Sequence, residues 1–195
     1  MNIGIFLFDN AEELDFVGPW EVFTSARMLK PELAVFTVAE HERPVRAAKG
    51  MRVLPDHTFA ASPKIDVLVV PGGDGRRAEV NNTVAIDWIR RTAAGCRWVT
   101  SVCTGAFLLH KAGLLDGKRV TTHWMRADEF ESLGGTTLVR GERYVRDGNV
   151  VTAAGVSAGI DMSLWLLGAI YEPEFARSVQ KAIEYDPAPP YAKVG

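Results

Sequence analysis

Short apolar runs recur at Ile3–Phe8, Leu33–Ala39, Ile65–Val70 and Trp98–Val102, interleaved with amphipathic segments around Trp20–Leu29, Val84–Ala94 and Ala106–Ala112. Runs that are apolar at nearly every residue, and rich in valine and isoleucine, suit strands covered on both faces. Their alternation with helical patterns predicts an α/β fold. The expected architecture is a flavodoxin-like three-layer sandwich, a mostly parallel central sheet with helices on both faces. Further along, Arg143–Val151 alternates around Asp147-Gly148, a hairpin signal that predicts an antiparallel addition to the sheet. The turn Ala154–Gly159 opens a long apolar helix through Leu167, and Pro173 starts a last amphipathic helix. With no repeat, low-complexity tract or linker, residues 1–195 are expected to form one domain. Residues 186–195, with Pro187, Pro189 and Pro190, are expected to be an extended tail.

The Trp98–Val102 run ends on Cys103 and turns at once into the helix-like Phe107-Leu108-Leu109. Ser101 and Gly105 flank the cysteine at minus two and plus two, the spacing of a nucleophile elbow with sulfur in place of oxygen. The sharp turn projects the thiol from the sheet edge. The following helix N-terminus is expected to lower its pKa and populate the thiolate. The competing assignment is a buried core cysteine, but that role does not call for glycine at Gly105.

Two other segments are expected at the same carboxyl edge of the sheet, where open α/β sheets bind ligands. Pro19 suits the first turn of a helix, so Asn10–Val17 is expected to be a connector carrying Asp15 on a loop. The glycine-rich Pro71-Gly72-Gly73-Asp74-Gly75 follows the third strand, and its backbone can approach a substrate closely. A reacting thiolate needs a proton carrier and donors for developing charge. Asp15 is the candidate for the first. The N–H groups of Gly73 and Thr104, with the Thr104 hydroxyl, are candidates for the second. Taken alone, Asp15 reads first as a solvated loop carboxylate, and Gly72-Gly73 equally as a plain tight turn.

His123 lies in Val120–Met125, read as a short strand ending near the same edge, and is the one histidine shortlisted as a base. A packing role beside Trp124 would look the same. His110 follows Cys103 by two turns and should point elsewhere, while His41 and His57 fall in polar, loop-like stretches. Cys96 precedes its strand at the end opposite Cys103 and reads as inert. The pair is not spaced as CxxC.

Composition narrows the partners. The formal net charge of −2 gives no electrostatic case for nucleic acid or an anionic membrane. The longest apolar stretch, Met162–Tyr171, is about half of what a membrane span requires. Two cysteines and no secretory leader suggest a cytoplasmic protein. No cysteine, histidine and carboxylate grouping has metal-ligand spacing. The glycine turn lacks the lysine and Ser/Thr of a phosphate loop.

The motifs Leu14–Pro19, Val70–Gly73, Ser101–Gly105, Gly113–Lys118, Thr121–Trp124 and Ala158–Asp161, in this order, resemble the ThiJ/PfpI superfamily, whose fold is similar to class I glutamine amidotransferases. The resemblance covers nearly the whole chain and, within the superfamily, looks most like the isonitrile hydratases. It implies that Cys103 attacks the isocyanide carbon to give a thioimidate, which water hydrolyses to an N-substituted formamide. It implies that Asp15 shuttles the proton, that Thr104 supports the site and that no cofactor is required. Gly72, Gly73, His123, Trp124 and Val156 complete the set as substrate-binding or oxyanion candidates. A homodimer acting on a small molecule is expected.

Two departures matter. Peptidase- or glyoxalase-like members commonly carry histidine after the nucleophile or glutamate as proton shuttle, where this chain has Thr104 and Asp15. The amidase-like domains of AraC-type regulators share the cysteine and His-Trp motifs, but no helix-turn-helix follows within these 195 residues. The alternatives are glyoxalase or deglycase action on reactive carbonyls, and a redox or stress sensor in which Cys103 is oxidised.

Overall fold

A computed structural model describes residues 1–187. In chain order its elements are β1 (Asn2–Phe6), α1 (Glu13–Leu29), β2 (Ala34–Ala39), β3 (Val45–Arg46), β4 (Arg52–Val53), β5 (His57–Thr58) and β6 (Val67–Val70). They continue with α2 (Arg76–Glu79), α3 (Thr83–Ala93), β7 (Trp98–Val102), α4 (Gly105–Lys111), β8 (Arg119–Val120), a 3-10 turn (Trp124–Arg126) and α5 (Ala127–Glu131). Last come β9 (Thr137–Leu138), β10 (Tyr144–Asp147), β11 (Val150–Ala153), α6 (Ala158–Ile170) and α7 (Pro173–Ala182). Of the tail expected over 186–195, residues 188–195 lie outside the described residues.

Seven strands form the central sheet in the order β10-β11-β7-β6-β1-β2-β5. All neighbours run parallel except the β10–β11 hairpin, as the Asp-Gly pair predicts. Strands β6 and β7 are buried at every residue, which explains why they read as unbroken apolar runs. From β1 the chain moves outward to β2, whereas from β6 it moves the opposite way to β7. Right-handed crossovers therefore put α1 and α3 on opposite faces. Helices α6 and α7 join α1, while α4 packs with α3 and α2 with α4, completing three layers. The reversal falls between β1 and β6, and the crevice outside their carboxyl ends is the expected ligand position.

Three local expectations fail for identifiable reasons. Helix α1 starts at Glu13, so Asp15 sits in its first turn and not on a loop, and Pro19 lies inside the helix. Tertiary packing overrides the local cost of the proline: a Cβ on Gly18 would meet Ile160 Cγ1 at 3.0 Å, and one on Gly159 would meet Pro19 Cδ at 3.3 Å, so α1 and α6 lie close together. His57 is in β5, paired with Val38, with its ring edge-on to Phe36 at 5.1 Å. His123 is not in a strand. The chain leaves β8 after Val120, and His123 caps the 3-10 turn, its Nδ1 accepting the Met125 N–H at 3.3 Å.

Candidate active site

The elbow at Cys103 is strained and pinned. Its φ of +57° is a left-handed conformation uncommon outside glycine. The backbone is held there from both sides, its N–H donating to the Ala153 carbonyl at 3.1 Å and its carbonyl accepting from Thr122 Oγ1 at 2.8 Å. Gly105 is required sterically, because a Cβ would collide with the Val70 carbonyl oxygen and crowd that of Pro71. That is the demand the plus-two glycine signalled.

Asp15 meets the thiol from α1. It is fully buried, and its Oδ2 accepts the Gly72 N–H at 2.9 Å. Among the described residues its Oδ1 has no hydrogen-bond partner, and the Cys103 thiol lies near enough to favour the carboxylate. Gly72 returns a second bond to α1, its carbonyl accepting the Glu12 N–H at 2.9 Å. A Cβ on Gly72 would overlap the Thr104 amide nitrogen and lie 2.5 Å from its Oγ1, so the three segments close on one another only over bare backbone. The chain ends after β1, β6 and β7 thus meet at the switch point of the sheet.

Electrostatics here run against one expectation. Burial, with Asp15 next, pushes the Cys103 thiol up to about 12, although N–H bonds from Thr104 and Val156 favour the thiolate. Helix α4 has only seven residues, and its N-terminal field does not offset desolvation of the sulfur. Burial also raises Asp15 to about 7, opposed by the Gly72 N–H. At neutral pH the resting pair is therefore a thiol beside a carboxyl group that readily exchanges its proton.

The donors at sulfur also differ from expectation. The Gly73 N–H donates to Thr104 Oγ1 at 3.0 Å, so it is not free for an oxyanion. Val156, also a candidate, stands nearer the sulfur: its N–H favours charge there, and its φ of +43° is unusual for a β-branched residue. The cavity at the thiol, about 260 Å³, takes in Gly73, Thr104, His123 and Val156. Gly72 lies beneath it, between Asp15 and Thr104, and Trp124 is absent from its lining. His123 is held below its ordinary pKa, first by burial and then by Arg126, which favours a neutral ring at pH 7.

Residues 1–169 match the DJ-1/PfpI family. The chain belongs to that family. It is 41% identical over 191 residues to isonitrile hydratase from Pseudomonas putida, across 98% of this chain and 81% of that protein. A ThiJ/PfpI family protein from Pseudomonas syringae superposes with a TM-score of 0.90 at 32% identity, covering 97% of this chain and 77% of that one. Drosophila melanogaster DJ-1beta has the same fold, with a TM-score of 0.82 at 23% identity over 95% of this chain and 98% of that one.

Against this DJ-1/PfpI framework, sequence reasoning overlooked several residues at the cavity. Arg76, nearly fully buried, lines it with its guanidinium 3.8 Å from the Phe107 ring centroid and Nη2 2.7 Å from both Glu129 oxygens. Glu12 lines it too, in an ion pair with Lys49. Nothing in Gly75-Arg76-Arg77 marks the first arginine as buried and the second as exposed. Cys96 donates to the Ile65 and Thr92 carbonyls at 3.3 and 3.2 Å, and burial holds its thiol up at about 12. Among the described residues, no group of three or more His, Cys, Asp or Glu side chains is placed to hold a metal.

Proposed function

We propose that this protein is a cofactor-independent lyase that hydrates isonitriles to N-substituted formamides. The observation that carries this reading is a pinned thiol that opens on a cavity, backed by a fully buried carboxyl group of near-neutral pKa. The extended similarity to isonitrile hydratase supports the choice of substrate. Asp15 as carboxylate takes the proton of Cys103 while the sulfur bonds the terminal isonitrile carbon. It returns that proton to the same carbon, giving a Cys–S–CH=N–R thioimidate. Water then adds across C=N, its oxygen to carbon and a proton, relayed by Asp15, to nitrogen. The C–S bond breaks, the hydroxyl proton returns to sulfur through Asp15, and R–NH–CHO leaves with the thiol restored. The N–H groups of Thr104 and Val156 stabilise charge on sulfur.

The test is formation of N-cyclohexylformamide from cyclohexyl isonitrile by the purified protein. Saturable turnover without added metal or cofactor is the expected result. No formamide, with turnover of methylglyoxal instead, would transfer the assignment to carbonyl chemistry. We further propose that the protein acts in the cytoplasm, where both free thiols would stay reduced. We also propose that it is a homodimer, since Trp124 and Met125 expose 78% and 62% of their surface beside the site. Sedimentation should give twice the 21.4 kDa chain mass; a monomer at micromolar concentration would refute the dimer.

A further inference from the structure

A second cavity lies against the thiol cavity, on the far side of His123 and Val156. It is the larger of the two, about 600 Å³ against about 260 Å³, and these two residues line both. The shared wall is thin. Its histidine ring lies against bare backbone, because a Cβ on Gly155 would overlap His123 Cδ2 and come within 3.2 Å of Nε2. Small-molecule pockets typically run from about 300 to 1,000 Å³, so the inner cavity alone falls short of that range while the outer one sits within it.

The two cavities differ in chemistry as well as size. Glu12, Asp74, Arg76 and Arg126 bring charge to the inner one. Among the described residues the outer one is walled chiefly by Thr121, Trp124, Ala127, Leu138, Val139 and Ala154; its one carboxylate is the exposed Glu142, and its arginines are already partnered. Arg140 bonds Asp128 at 2.8 Å and Glu131 at 2.7 Å. Arg143 bonds Asp161 at 2.7 Å through Nε and Ser157 Oγ at 3.2 Å. The Thr122 hydroxyl is committed to the Cys103 carbonyl. Among the described residues an anionic ligand would find no free cation there and would meet the Glu142 carboxylate, while an apolar one would leave few polar groups unsatisfied.

An isonitrile presents a linear two-atom head and a substituent on its nitrogen. Resting on the isonitrile reading, we propose that the outer cavity receives this nitrogen substituent, which reaches past the His123–Val156 wall from the head held at Cys103. The preferred substrates are then isonitriles with bulky, uncharged, apolar substituents.

The test compares kcat/KM for 2-naphthyl isonitrile and methyl isonitrile in the wild type and in Val139→Trp, which fills the outer cavity. The naphthyl-to-methyl ratio is expected to fall at least about tenfold in the variant, the scale on which a pocket rejects groups it cannot hold. An unchanged ratio in a folded variant overturns the inference and leaves the reaction standing. Should Val139→Trp fail to fold, the wild type still decides. It should favour 2-naphthyl isonitrile over anionic isocyanoacetate at least tenfold, and equal use of the two overturns the inference. Turnover of neither naphthyl nor methyl isonitrile by the wild type refutes the underlying reaction, a result distinct from an unchanged ratio.

Discussion

Cys103→Ala is expected to abolish formamide production, lowering kcat/KM for cyclohexyl isonitrile by at least about 10⁴-fold, as loss of a covalent nucleophile does in enzymes that work through one. The fold should survive. Alanine keeps the backbone bonds to Ala153 and Thr122 that pin the elbow, and it inherits the same φ of +57° without adding bulk. Thermal denaturation should place its Tm within a few degrees of the wild type, since about 1 kcal/mol moves a chain of this size by about 2–4 °C. Full activity in this variant would strip Cys103 of the proposed role, and a loss of cooperative unfolding would make the activity result uninformative about chemistry.

Asp15→Asn separates activity from stability. Asparagine cannot accept the thiol proton, so kcat/KM is expected to fall about 10²–10⁴-fold. In the proposed mechanism, the reactive form of the wild type has Cys103 as thiol and Asp15 as carboxylate. Since the carboxyl titrates near 7, kcat/KM should rise about tenfold per pH unit below 7 and level off above it, the thiol titrating only at about 12. Stability carries the opposite sign. Burial raises the folded pKa of Asp15 from 3.8 to about 7, so the native state holds this proton more tightly than the unfolded chain does. Its stabilising contribution is full below about pH 4 and lost as pH rises toward 7. About three units at about 1.36 kcal/mol each is about 4 kcal/mol. The asparagine amide keeps an acceptor for the Gly72 N–H and avoids the charge, so the variant should be more stable than the wild type at pH 8, with the gain gone by pH 4. A gain of equal size at both values would show that the buried carboxylate is not its source.

The strands were legible because burial on both faces leaves its mark residue by residue: β6 and β7 admit little but apolar side chains. The elbow was legible because Gly105 answers to the backbone, where a Cβ would strike the Val70 carbonyl. What escaped depends on contacts far along the chain. Pro19 looks like a helix start until α6 is seen packed against it, and the misplaced start put Asp15 on a loop. His123 follows a β-rich stretch, but β8 pairs for only two residues before the chain turns. The sign of the Cys103 shift was missed because helix polarity is local, whereas desolvation is set by everything that covers the sulfur. The Gly73 amide is unavailable for a similar reason: it is taken by Thr104, a partner 31 residues away.

The distances along the chain that separate the site's parts have a consequence for how the protein folds. The bond that fixes Asp15 joins residues 57 apart, and the bond that fixes Gly73 joins residues 31 apart. Neither closes until β1, β6 and β7 stand side by side, so no single hairpin or helix assembles a working fragment of the site. Contacts of such long range form late and slowly compared with helical turns. Recovery of the proposed activity after refolding should therefore track completion of the middle of the sheet, lagging the early return of helical signal, and any opening that separates β6 from its neighbours should take the whole site apart at once.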